Sequence, residues 1–224
     1  MLPTPILFDY LTCNIPFQNL PSNLQLLELC DVPQLYSISR AGPTPSQIWS
    51  FQCLQRLKVD SCENLKFLFS MEVSRSLPEL VSLIISDCQE LEQVVAADEE
   101  LVQLHDAEFY FPKLRHIVLS NCNKLKSLFP FSMVRMFPQL STLEIRNSTQ
   151  LEEVFEHGPG DDIIGKIEVL LPNLTEIQLV DLPNFVDICQ GCKLHAVELL
   201  ELGISYCPKT APSLRQIQVT FLPC

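Results

Sequence analysis

Three parts of this 224-residue chain carry residue types that can do chemistry. The segment "GDDIIGKI" (160–167) approaches G-x-x-x-x-G-K-[ST], in which backbone N–H groups cradle phosphates and the final hydroxyl reaches a magnesium ion. Ile167 stands where the hydroxyl belongs, Asp161 and Asp162 would face the phosphates, and no βαβ context surrounds the loop. An acidic loop is expected there. The segment "CQGCKLH" (189–195) offers two thiols and a histidine. Structural zinc takes four ligands, often as two such pairs, and the next cysteine, Cys207, belongs to a different pattern. A redox C-x-x-C stands at a helix N-terminus after a strand, which this context does not offer. His105, His116, His157 and His195 fall in different units, and no spacing brings one within reach of a nucleophile. No catalytic residue, cofactor-binding residue or metal ligand is therefore expected, and the chain is not expected to be an enzyme.

What would position such residues is a repeat. Shifting 51–110 by sixty onto 111–170 superposes Phe51, Leu54, Cys62, Leu65, Leu68 and Phe69 on identical partners. Pro78, Leu80, Leu83, Ile85, Leu91 and Val94 find theirs too, with no gap. "CENLKFLF" (62–69) and "CNKLKSLF" (122–129) are the most visible echo. Each long unit holds two short ones of the form [FL]-P-x-L-x-x-L-x-[LIV]-x-x-C-x-x-L. Examples are "FQCLQRLKVDSCENL" (51–65), "LPELVSLIISDCQEL" (77–91), "FPKLRHIVLSNCNKL" (111–125) and "FPQLSTLEIRNSTQL" (137–151). "LPNLTEIQLVDLPNF" (171–185) continues the series, and "LLELGISYCPK" (199–209) follows it one residue out of step. First leucines fall at 24, 54, 80, 114, 140, 174, 199 and 214, which implies about seven to eight repeats.

L-x-x-L-x-L cannot bury its apolar side alone; stacked in parallel, such strands form one continuous core. The expected fold is an α/β solenoid of leucine-rich repeats over residues 20–224, after an irregular segment over 1–19. Its parallel sheet lines a concave face, and its convex segments are irregular or short helices, with "SMEVSRS" (70–76) and "FSMVRM" (131–136) as helical turns. The acidic stretches 94–110 and 154–170 read as solvated loops. Cys62, Cys88, Cys122 and Cys207 take the inward turn position after a strand, where a small thiol suits burial.

The residues between the leucines form columns on the wet face. The middle column runs Glu28, Lys58, Ile84, Val118, Glu144, Gln178, Gly203, Gln218. Arg56, Ser82, His116, Thr142 and Glu176 flank it on one side, and Asp60, Ser86, Ser120, Arg146 and Val180 on the other. Arg56, Lys58, Arg115, His116 and Arg146 place basic groups there, and Ile84 with Val118 forms an apolar pair that a solenoid does not need on its wet side. An apolar centre edged by arginine suits a protein partner. Arg56, Lys58, Ile84, Arg115, His116, Val118, Glu144, Arg146 and Gln178 are the expected contact residues.

A formal net charge of −12 disfavours nucleic acid and anionic membranes. No run is long and apolar enough for a membrane span, and "MLPTPILFDYLTC" lacks the basic start of a secretory signal. Reduced thiols in the cytoplasm are expected.

The phrases "FP.L..L.I..C..LK.LF" and "LP.L..L.I.DC..LE.VV", carried by 51–69, 77–95, 111–129, 137–155 and 171–188, resemble the leucine-rich repeats of plant intracellular immune receptors. These are the coiled-coil, nucleotide-binding, leucine-rich-repeat disease resistance proteins. "LEQVV" (91–95), "LEEVF" (151–155) and "CPK" (207–209) strengthen the resemblance. It implies a module that senses a pathogen effector or a guarded host protein and restrains a nucleotide-binding switch. The receptor's own nucleotide-binding domain is then a further partner. The chain is expected to be one piece of a longer receptor or a truncated product. The alternative is a leucine-rich-repeat scaffold or substrate adaptor outside immunity, such as a ubiquitin-ligase receptor.

Overall fold

The structure is a computed structural model that describes residues 6–8, 23–33, 35–38, 51–69, 74, 77–96, 111–135, 137–157 and 168–215. It is a parallel β-solenoid. Strands are numbered along the chain. The front sheet holds β1 (Ile6–Phe8), β2 (Leu26–Cys30), β3 (Arg56–Asp60), β5 (Ser82–Ser86), β7 (His116–Ser120), β9 (Thr142–Arg146), β12 (Glu176–Val180) and β14 (Glu201–Ser205), in that order. Every neighbour pair is parallel. The back carries β4 (Phe67–Phe69) with β6 (Gln93–Val95), β8 (Phe129–Pro130) with β10 (Phe155–Glu156), and β11 (Glu168–Leu170) with β13 (Lys193–His195).

The template explains the coil. The [FL]-P-x-L stretch is a β-turn that opens each front strand: Leu80 N–H donates to Leu77 O and Leu140 N–H to Phe137 O, both at 3.3 Å. Proline suits the second position of such a turn because its φ is already set, as at Pro78, Pro112, Pro138 and Pro172. Five strand residues follow with alternate burial; Leu57 and Val59 face in, as do Leu83 with Ile85 and Ile117 with Leu119. A second turn closes the strand, with Leu65 N–H donating to Cys62 O and Leu125 N–H to Cys122 O.

Between strand and second turn sits one residue in the left-handed region: Asp31, Ser61, Asp87, Asn121, Asn147, Asp181 and Tyr206, with φ between 51 and 56°. Asp and Asn tolerate this region better than other side-chain-bearing residues. Their backbone N–H groups extend the front ladder by one bond per coil, as in Asn121 N–H to Arg146 O at 3.1 Å.

The back differs from the expected mixture of irregular and short helical segments. Leu128 N–H donates to Val154 O and Val154 N–H to Ile188 O, so backbone bonding continues from coil to coil. Aromatic and β-branched residues such as Phe67, Phe69, Val94 and Val95 favour this extended form. Helical turns are confined, among the described residues, to Phe131–Met133 (a 3-10 turn), Ser74 and Pro212–Arg215. The first two lie where helical turns are expected. Behind the leucines, Phe69, Phe111, Phe129, Phe137 and Phe155 form a buried aromatic spine, with ring centroids 4.7 to 6.3 Å apart.

Three expectations change. Residues 1–19, read as irregular, contribute β1, whose backbone pairs with what would otherwise be the open edge of β2. The segment 199–209 is not out of step: Glu176 pairs with Glu201, Leu199 is buried and Leu200 is the exposed spacer. Leu214 does not open another strand within the described residues; it lies buried in the helical turn Pro212–Arg215. The stretches 97–110 and 158–167, including the phosphate-loop mimic, lie outside the described residues, as do Gln218 and His105.

Candidate functional site

The columns expected on the front sheet stand in register. Glu28, Lys58, Ile84, Val118, Glu144, Gln178 and Gly203 are successive partners across seven strands. Arg56, Ser82, His116, Thr142 and Glu176 form the row on one side, and Asp60, Ser86, Ser120, Arg146 and Val180 the row on the other. Arg56, Arg115 and His116 are exposed; Lys58, Ile84, Val118, Glu144, Arg146 and Gln178 are half-buried. Arg115 precedes β7 by one residue and so borders the rows without joining them; its carbonyl accepts from Ser141 N–H and Thr142 N–H.

The face divides into two electrostatic halves. Around β3, β5 and β7, Arg56, Lys58, Arg115 and His116 form no ion pair among the described residues; Lys58 is the partner of Ile84, and Arg56 and His116 stand in the row beside Ile84 and Val118, while on the other side Ser86 Oγ donates to Asp60 Oδ1. Around β9 and β12 the polar groups bond to each other. Arg146 Nε donates to Glu144 Oε1 at 2.6 Å, and Gln178 Nε2 to Glu201 Oε1 at 2.6 Å. Gly203 lies under the Gln178 amide, which a Cβ there would strike. Groups already paired are less available to a partner than the unpaired basic and apolar groups of the other half.

Sequence reasoning passed over the rim of this face. Asn121 Nδ2 donates to Asp87 Oδ1 at 2.9 Å, and Asn147 Nδ2 to Asn121 Oδ1 at 3.0 Å. One turn further, Asn123 Nδ2 donates to Gln89 Oε1 and Lys209 Nζ to Asn184 Oδ1. Asn121, Asn123 and Asn147 of these ladders, with Thr149, Asp181, Pro183 and Tyr206, line a cleft of about 430 Å³; Tyr206 is 80% exposed. The signal was present as Asp, Ser or Asn recurring directly before the inward cysteine position.

The inward thiols behave as expected. Cys62, Cys88, Cys122 and Cys207 are buried, and each S–H donates to a backbone carbonyl, as Cys122 does to Ser120 O at 3.4 Å. Ser148 takes the same place and donates to Arg146 O while accepting from Cys122 N–H. Burial pushes the Cys122 thiol up to about 12, and the Cys62 sulfur beside Cys88 pushes that thiol up as well.

The C-x-x-C turn is different. Cys189 and Cys192 form a disulfide across a turn in which Cys192 N–H donates to Cys189 O and Gly191 adopts φ 75°. The histidine beside them is His157, from the preceding coil: its Nε2 lies 3.9 Å from Cys192 Sγ. His195, next to the pair in sequence, faces Glu168 instead, at 3.3 Å. Phe131 stacks on the His157 ring at 4.3 Å. Glu153 is buried behind the turn and accepts from Gln190 N–H at 3.1 Å; burial holds its carboxyl above the usual range.

A family model for the leucine-rich repeats of plant disease resistance protein RPS2-like matches residues 11–89 and 94–211. The chain belongs to this family. No curated protein and no solved structure matches it significantly. Among the described residues, no helix is long and apolar enough to cross a membrane. The family assignment and the strand register agree. The matched stretches contain every front strand from β2 to β14, and what the repeats hold constant is the interior. The residues of the columns are those the template leaves free.

Proposed function

We propose that this chain is the non-catalytic recognition part of a plant immune receptor that works in the cytoplasm. Its front face senses a pathogen effector or a guarded host protein and helps restrain the receptor's nucleotide-binding switch. Membership of the disease-resistance repeat family supports the setting. The observation that carries the surface is Ile84 beside Val118 on the wet side of β5 and β7, bordered by Lys58, Arg56 and His116. Apolar side chains on a wet sheet face cost solubility unless something covers them, and unpaired arginine and lysine at their margin suit an acidic or polar rim on a partner.

The test compares partners co-purified from plant extract by the parent chain and by Lys58→Glu and Val118→Glu. Both variants change half-buried surface positions, so the melting temperature should stay within about 2 °C of the parent, the shift that ~0.5 kcal/mol makes in a chain of this size. Loss of the same bound protein in both supports the assignment. Retention in both removes the front face from the interaction.

A further inference from the structure

We propose that Cys189, Cys192 and His157, once the disulfide is reduced, form a site for one soft divalent cation, zinc by its chemistry. Two sulfurs and one imidazole nitrogen, contributed by two successive coils, lie within 4.8 Å of one another. Zinc binds thiolate at ~2.3 Å and imidazole at ~2.0–2.1 Å, so the S···N edge of a tetrahedral site is about 3.6 Å. The separation of 3.9 Å between Cys192 Sγ and His157 Nε2 meets that with little movement. The sulfurs need only part to about 3.8 Å, the S···S edge of the same tetrahedron.

The surroundings are those of a ligand site. The Gly191 turn presents both thiols from one side, and Phe131 stacks flat on the His157 ring and fixes its plane. Glu153, only 9% exposed, reaches the backbone of the C-x-x-C turn through Gln190 N–H. A carboxylate this buried, with one N–H donor among the described residues, is costly unless a positive charge stands near. A cation between the thiolates and His157 provides one. Carboxylates and backbone groups in this outer position orient the ligands of metal sites. Three protein ligands leave a fourth position for water or for a group from another molecule.

The oxidised and metal-bound forms exclude each other. A dithiol donor passes two electrons and two protons to the disulfide, breaks the S–S bond and leaves as its own disulfide. Metal binding then displaces the two thiol protons.

The test uses the full chain, reduced with a phosphine and titrated with Co²⁺ and then Zn²⁺ without oxygen. Expected is one Co²⁺ per chain, with a sulfur-to-cobalt charge-transfer band and the visible bands of a tetrahedral ion, all displaced by Zn²⁺. Cys192→Ser and His157→Gln should abolish the tetrahedral spectrum. Glu153→Gln should weaken Zn²⁺ binding by about 10–100-fold. His195→Gln should change nothing. Far-ultraviolet circular dichroism checks that each variant is folded; His157 is half-buried, so its replacement spares the core. No charge-transfer band in the reduced parent overturns the proposal. So does a tetrahedral spectrum that survives in folded His157→Gln, or one lost equally in His195→Gln.

Discussion

Cys122 and Cys192 both lie in turns of the same solenoid, and their surroundings give them different chemistry. Cys122 is 0% exposed, donates to Ser120 O, and has Cys88 and Ser148 in the equivalent places on either side. Burial outweighs the Cys88 backbone group that favours a thiolate there, and holds the proton on. Cys192 is half-buried, bonded to Cys189 and beside an imidazole nitrogen. The repeat produces the first environment by default. The second arises where the repeat breaks, in the long connection between β12 and β14, whose turn carries glycine at 191. Irregular insertions are thus where this fold can acquire chemistry, because the regular coil surrounds its thiols with buried backbone and other thiols and, among the described residues, sets no imidazole beside Cys122.

The largest expected difference between the two turns is in reactivity. In the reduced chain, pulsed alkylation near pH 8 should modify Cys192 at least ~10³-fold faster than Cys122, since Cys122 is reached only through opening of the core. Peptide mass spectrometry after the pulse reads both rates. Equal rates would mean that the regular turns open locally, and the contrast would fail.

A smaller effect appears in alkali. A thiol that titrates at 9.0 when free and at about 12 in the folded chain is protonated in the native state and ionised in the unfolded state between those values. The unfolded state binds fewer protons there, so stability is complete below pH 9.0 and declines as pH rises toward about 12. The decline is about 1.4 kcal/mol per pH unit per thiol. Cys122→Ser copies the turn of Ser148 and should remove one thiol's share of that slope, measured as the urea midpoint against pH. An unchanged slope would show that Cys122 contributes nothing to the alkaline loss.

The interior was legible from single residues, and the sites only partly. Leu54, Leu57 and Val59 announce a strand because their spacing is that of alternate burial after a turn, and Cys62 announces the turn because it recurs with them. Register follows, so Lys58, Ile84 and Val118 could be aligned as neighbours without coordinates. The back strands were harder to read: "KFLF" and "QVV" are too short to distinguish a strand from an irregular apolar turn, and backbone pairing with the next coil decides the matter. His157 was not legible as a neighbour of Cys192. Thirty-five residues separate them, and His195 is nearer along the chain. Coil length alone sets which histidine meets the thiols, and the connections between 158 and 167 carry no template from which to count.

Tyr206 offers the smallest and most discriminating change. It precedes Cys207 as Asn121 precedes Cys122, and it holds the same left-handed conformation at φ 55°. Asp, Ser or Asn fills the other six such places among the described residues. The left-handed conformation costs a residue other than glycine or Asx roughly 1–2 kcal/mol, and Tyr206 recovers little of that by burial, being 80% exposed. Tyr206→Asn should therefore raise stability by up to about 1 kcal/mol, read as a higher urea midpoint with an unchanged slope. A rise makes the last turn equivalent to the others, with tyrosine retained there at a cost to the fold, as a residue that meets a partner at the rim cleft would be. A fall would show that the ring stabilises the cleft wall by more than its backbone costs, and the last turn would then be built on different terms from that of Cys122.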